Sequence, residues 1–229
     1  MLADTTILQR SPLFDGMNTE AVETIRQALQ PRRYPAGSLI FESGEMGEAL
    51  YIVESGKVKI FRQSFGGKAK VLAYVHAGDV FGEMSLVEDR PRSATALAVA
   101  PTVVHALYRD LYLQLIRRFP HLAHNLARII AARLREMNDE VVILSFEESK
   151  SRIAYALLKL QRHQHGQTTD RGWAIPVPHH EVANLAGTSR ETATRVLHAL
   201  RDMGAIETQN GEVIIRDALL LEEVLYGLR

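Results

Sequence analysis

The chain is 229 residues long, with 27 Lys+Arg against 27 Asp+Glu, nine His and no Cys. Lacking cysteine, it has neither disulfides nor thiolate-held zinc or iron–sulfur clusters, which excludes staple-dependent secreted domains and cluster-based redox sensors and makes a cytoplasmic address the expectation. No apolar run approaches the roughly 18 residues of a membrane span, no basic segment precedes an apolar core at the start, and charge balances on both sides of Phe146 (17 basic to 16 acidic before, 10 to 11 after), so neither insertion nor export is expected and any surface for a polyanion must be local.

From about Arg33 to Leu107, short apolar alternations are separated by glycine turns. Lys57-Val58-Lys59-Ile60 alternates with period two, and Ala96-Leu97-Ala98-Val99 fits another strand. Gly37, Gly44, Gly56, Gly66-Gly67, Gly78 and Gly82 fall at turn-like intervals, and many short strands between turns imply an antiparallel barrel or roll.

Helices follow. Leu111 to Arg118 predicts a short one, Pro120 suits the first position of a long one, and no Gly or Pro intervenes before about Phe146. Such a rod is roughly 40 Å long at about 1.5 Å per residue. Along it Ala123, Ala127, Ile130, Leu134, Met137, Val141 and Leu144 follow alternating steps of four and three, a coiled-coil seam. Leu122, Leu126 and Ile129 form a second apolar set, fit to pack against the chain's own roll. A rod longer than a small core needs favours parallel homodimerisation over a buried helix in a monomer.

From about Glu147 the elements shorten. Ser151 to Leu160 reads as a helix with Ile153, Ala156, Leu157 and Leu160 on one face, followed by a loop from Gly166 to Gly172. His180 to Ala186 reads as a helix, Gly187-Thr188 as a tight turn, and Ser189 as the N-cap of a second helix running to Met203, together a helix-turn-helix. Two strand-like runs around Asn210-Gly211 make a hairpin, a wing, and Asp217 to Arg229 reads as one more helix. Trp173 is expected in the core.

The segment Gly78-Asp79-Val80-Phe81-Gly82-Glu83-Met84-Ser85-Leu86-Val87-Glu88-Asp89-Arg90-Pro91-Arg92-Ser93-Ala94 carries the chemistry of an anion site. Glycine lets backbone approach a ligand, a short helix from about Met84 aims its positive end at an anion, and Arg92 with Ser93 supplies charge-assisted donors. An acid beside a phosphate repels it, so Glu83 is suited to accept from a sugar hydroxyl. The plainer alternative is a surface turn with a Glu83–Arg92 ion pair.

This segment resembles the phosphate-binding cassette of the cyclic-nucleotide-binding β-roll. With the long helix and Gly187-Thr188-Ser189-Arg190-Glu191-Thr192-Ala193-Thr194-Arg195, nearly the whole chain resembles the cyclic AMP receptor protein and fumarate–nitrate reductase regulator family of bacterial transcription factors. The resemblance implies an α+β chain: a cyclic-nucleotide-binding β-roll over residues 1–118, a dimerisation helix over 119–146 and a winged helix-turn-helix over 147–229. It implies cyclic AMP as effector, with the Gly82 amide and Ser93 on the cyclic phosphate, Arg92 neutralising it, Glu83 on the ribose 2′-hydroxyl and Met84 in the same cassette. Met137 and Asn138 fall where the family places small hydroxyl residues toward the base. Met137 departs from that pattern, offering packing and a weak acceptor.

For DNA, residues opening a recognition helix face base edges in the major groove. Arg190 can bond guanine bidentately, Glu191 can accept from cytosine N4, and Arg195 lies one turn on; the resemblance implies a TGTGA-like half-site in an inverted repeat, read by a homodimer on double-stranded DNA. Ser189 and Thr192 are expected at phosphates, with His180 and Arg201 as helpers. RNA polymerase is the further partner implied. His121 and His124 lack a third ligand nearby in sequence, and His163, His165, His179 and His180 suggest pH sensitivity or phosphate contact rather than zinc. No paired acids and nucleophile suggest an enzyme. Alternatives are a roll tuned to another effector or to none, a nucleotide-sensing subunit acting through the rod on a protein partner, and a haem sensor with His76 as axial ligand.

Overall fold

The computed structural model describes residues 8–63, 69–163, 166–209 and 211–228. The expected Gly66-Gly67 turn, His165 and Asn210 lie outside the described residues. The chain divides into two compact units, Met1–Leu134 and Arg135–Arg229.

In the first unit, helix α1 (Thr19–Ala28) is capped by Asn18, whose side chain accepts from the Ala21 amide at 2.8 Å. Eight strands follow: β1 (Gln30–Tyr34), β2 (Leu39–Phe41), β3 (Ala49–Ser55), β4 (Val58–Gln63), β5 (Ala69–Val75), β6 (Val80–Phe81), β7 (Thr95–Ala98) and β8 (Thr102–Tyr108), with α2 (Glu83–Glu88) between β6 and β7. They form two four-stranded antiparallel sheets, β1-β8-β3-β6 and β2-β7-β4-β5. The alternations expected around Val58 and Ala96 are present, with Val58, Ala96 and Ala98 fully buried.

The core has two layers. Phe41, Val53, Val58, Val75, Phe81, Ala96 and Val104 pack together within the roll. Leu50, Ile52, Val80 and Leu107 join a second cluster with Val22 and Ile25 of α1, Tyr112 and Leu115 of α3 (Arg109–Arg118), and Leu122 and Leu126 of α4 (Pro120–Phe146). Strand β3 therefore has no polar face, because its alternate side chains enter different cores. The second apolar set of the long helix docks as expected: Leu122 and Leu126 are buried, and Ile129 packs partly buried against the same cluster. The seam faces outward where it leaves this cluster, with Leu134 57%, Met137 62% and Val141 61% exposed.

In the second unit, α5 (Ser149–Arg162) buries Ile153, Ala156, Leu157 and Leu160, and also Ala154 and Leu158. The expected loop after it is instead a hairpin: β9 (Gln167–Thr169) pairs with β10 (Gly172–Ile175). Its polar Gln-Thr-Thr strand carries no apolar alternation to announce it, and Gly172, at φ +129°, stands where a Cβ would come 2.2 Å from the Ile215 carbonyl oxygen. Trp173 on β10 is half-buried rather than in the core. Helices α6 (His179–Leu185) and α7 (Arg190–Asp202) flank the turn at Gly187, whose φ is +58°. The wing is β11 (Ile206–Gln209) and β12 (Glu212–Ile215), joined to β9 and β10 in one sheet, order β11-β12-β10-β9. Helix α8 (Ala218–Leu225), capped by Asp217, packs on α5, where the Ser151 hydroxyl donates to the Val224 carbonyl at 3.2 Å. None of the described helices is long and apolar enough to cross a membrane.

Candidate functional site

The roll brings Gly82, Glu83, Met84, Arg92 and Ser93 into one neighbourhood. Gly82 takes φ +75°, which lets β6 turn directly into α2; a Cβ there would lie 2.8 Å from Nη1 of Arg92. Arg92 is only 5% exposed. Its Nη1 donates to the Gly82 carbonyl and the Ser85 hydroxyl, both at 2.7 Å, and its Nη2 to the Ala49 carbonyl at 2.8 Å. The guanidinium lies 4.1 Å from the Phe41 ring centroid and 5.5 Å from that of Tyr51, within a stack completed by Phe81. All its hydrogen-bond acceptors are neutral, and its buried Nε is unpaired. Burial lowers the pKa of Arg92 below the usual arginine range, opposed by Tyr51, Glu45 and Glu83 nearby. The group stays cationic at neutral pH, so the site holds a desolvated positive charge without a carboxylate bonded to it.

The alternative Glu83–Arg92 ion pair is not formed. Glu83, 6% exposed, pairs instead with Arg133 of α4 at 2.8 Å, and Arg133 also donates to the Val80 carbonyl. Neither Arg133 nor Ser85 stood out in the sequence; no spacing rule links position 133 to position 83. Ser93 and Met84 are exposed, with the Ser93 hydroxyl 3.5 Å from Sδ of Met84. Met137 and Asn138 are both exposed on α4.

In the second unit, the Ser189 hydroxyl accepts from the Thr192 amide and donates to the Thr192 hydroxyl, each at 3.1 Å, forming the expected N-cap. Ala193, Val196, Leu197 and Leu200 are buried. The opposite side of α7 presents Arg190, Glu191, Thr194, Arg195 and His198 around one shallow concavity. Sequence reading found three of these five and missed Thr194 and His198, which the helical period from Arg190 would have placed on the same face. The Glu191 carboxyl is held below its usual range by its own backbone amide and then by Ser189. It therefore remains an acceptor. His180 is exposed on α6. Arg201 stands apart, about 16 Å along α7 from Arg190 at helical rise, and its guanidinium donates to Asp202 at 2.9 Å.

An eight-stranded roll with a buried arginine, a long helix and a winged helix-turn-helix together define the class of ligand-regulated DNA-binding proteins. Residues 31–119 match the cyclic nucleotide-binding domain, and residues 151–224 match the Crp-like helix-turn-helix domain. The chain is 49% identical to the cyclic AMP receptor protein of Thermus thermophilus over 221 residues, covering 96% of this chain and all of that one. The crystal structure of the Thermus thermophilus catabolite activator protein, 50% identical, covers 96% of this chain and 100% of its own, with a TM-score of 0.57. The Xanthomonas campestris regulator CLP, described as responsive to cyclic di-GMP, is 25% identical, covers 86% of this chain and 99% of its own, and superposes with a TM-score of 0.75. The chain belongs to the CRP family of transcription regulators.

Proposed function

We propose that the chain is a homodimeric regulator in which cyclic AMP, bound in the roll, promotes recognition of inverted TGTGA-like repeats in double-stranded DNA. The observation that carries this reading is Arg92, a buried cation held by neutral oxygens and aromatic faces. The cradle is shaped by absent side chains: a Cβ on Gly47 would fall 2.0 Å from Oγ of Ser85 and 2.8 Å from Nε of Arg92. In this reading Arg92, Ser93 and the Gly82 amide take the cyclic phosphate, Glu83 the ribose hydroxyl, and Met84, Met137 and Asn138 line the rest of the nucleotide site.

The outward seam of α4 supports a dimer. Leu134, Met137 and Val141 in two copies bury apolar surface that one copy leaves in water. On DNA, Arg190, Glu191 and Arg195 read base edges, with Ser189, Thr192, His180 and Arg201 on the backbone. Nucleotide acts by its differential affinity for two pre-existing states, favouring the one with recognition helices about 34 Å apart. The protein works in the cytoplasm with RNA polymerase as a partner.

The test is titration of a fluorescent duplex carrying the inverted repeat, at fixed salt, with and without cyclic AMP, beside a scrambled duplex. Selective binding that requires cyclic AMP is expected. Selective binding without it would overturn nucleotide control, and equal binding to both duplexes would overturn the half-site. A second reading, a different cyclic nucleotide as effector, is favoured by Met137, which cannot offer a base the hydroxyl the family pattern places there. Cyclic di-GMP belongs in the same titration.

A further inference from the structure

A histidine arrangement beside the recognition helix is not used by the reading above. His179 opens α6 and sets its Nδ1 3.3 Å from the Thr194 hydroxyl. Thr194 shares the outward concavity of α7 with His198, one turn further along, and with Arg190, Glu191 and Arg195. His179 is half-buried and His198 exposed. Two titratable rings thus flank the face that carries Arg190 and Arg195.

We propose that His179 and His198 are proton-linked contacts to the DNA backbone, so that the chain takes up protons as it binds DNA and grips DNA more tightly as pH falls through the histidine range. This rests on the reading of α7 as the DNA-facing helix.

The charges around the pair set the sign. His198 and Arg190, both on α7, are the neighbours whose electrostatics disfavour the protonated His179, and Glu191 is the carboxylate lining the concavity. His180 and Glu181 follow on α6 itself. In the free protein, burial first, then His198 and Arg190, hold His179 below its ordinary value. A phosphate oxygen brings the opposite charge and accepts a hydrogen bond only from the protonated or correctly tautomeric ring, so association favours protonation. The protonated form is therefore commoner in the complex, and affinity falls as pH rises. Arginine at these positions would make the same contact with a charge that does not vary.

The experiment uses the full chain with saturating cyclic AMP at constant ionic strength. Affinity is measured between about pH 6 and pH 8 on the inverted-repeat duplex, and at lower salt on a scrambled duplex, which offers the same backbone. The expected result is a loss of about tenfold across that range for each linked proton, on both duplexes. H179Q with H198Q, made together with H180Q so that the histidine remaining at the DNA backbone does not titrate, should flatten the dependence to within about threefold, and H179R with H198R in that same background should bind tightly at both ends of the range. A flat wild-type profile, or an undiminished slope in the glutamine variant, overturns the proposal. Loss of operator selectivity with the slope retained on both duplexes overturns the half-site and supports the proton linkage. Absence of binding to any duplex overturns both.

Discussion

Arg133→Met isolates the ion pair that the sequence did not announce. The methionine keeps an unbranched apolar stem, shorter by the guanidinium head, and leaves Glu83, 6% exposed, without the guanidinium 2.8 Å away. Removing one partner of a fully buried pair costs about 3–5 kcal/mol. Here the Arg133 side chain is 39% exposed, so solvent screens part of the attraction, and about half that range applies. The Val80 carbonyl also loses a charged donor, adding about 1 kcal/mol. A loss of about 2–4 kcal/mol is expected, which for a unit of this size lowers its unfolding temperature by roughly 6–12 °C. Calorimetry of the full chain without nucleotide reads this directly. Replacing Glu83 by Gln as well removes the stranded charge, so the double variant should recover at least about 1 kcal/mol relative to additivity. Single variants within about 0.5 kcal/mol of the parent, with strictly additive effects, would refute the reasoning.

Other perturbations test separate parts of the molecule. Ser189→Ala removes the acceptor for the Thr192 amide and should destabilise the second unit by about 1 kcal/mol, read as a lower urea midpoint with unchanged slope. Val141→Asp places a charge on the outward seam and should shift sedimentation from dimer to monomer, whereas an unchanged dimer would remove the seam from the interface. Arg190→Ala should cost about 1–3 kcal/mol of operator affinity and relax preference at one guanine; equal loss on every sequence would make Arg190 a backbone contact. His163, then Lys159, hold the Glu136 carboxyl below its usual range. Their contribution is present above the unfolded carboxylate value of about 4.5 and is lost as pH falls through the lower folded value. Carbon-detected titration of Glu136 in His163→Gln should move its midpoint upward, and no movement would remove His163 as the cause.

Legibility followed the range of the forces involved. The bounds of α4 at Pro120 and Phe146, the Ser189 cap and the turn at Gly187 were readable because each is set by neighbours within four residues. The nearness of Gly82 to Arg92 and of Met84 to Ser93 was readable for the same reason, since Gly82 to Ser93 is one short segment. The pairing of Glu83 with Arg133, and the seating of Arg92 on Phe41 and Tyr51, join residues dozens of positions apart and leave no periodic trace. Strand β9 was missed because its partners supply its hydrogen bonds while its side chains supply no pattern. Arg201, expected as a helper at the phosphates, lies toward the far end of α7 from Arg190.

Strand β3 has a mechanical consequence. Its Ala49 carbonyl and Tyr51 ring hold the guanidinium of Arg92, while Leu50 and Ile52, the alternate residues, are wedged among the side chains that seat Leu122 and Leu126 at the root of α4. Close-packed interiors do not absorb displacement. Were Arg92 displaced with the Ala49 carbonyl still bonded to it, β3 would carry that displacement to the side chains packed at the base of the long helix. Strand β3 thus joins the seat of Arg92 on one face to the seat of α4 on the other.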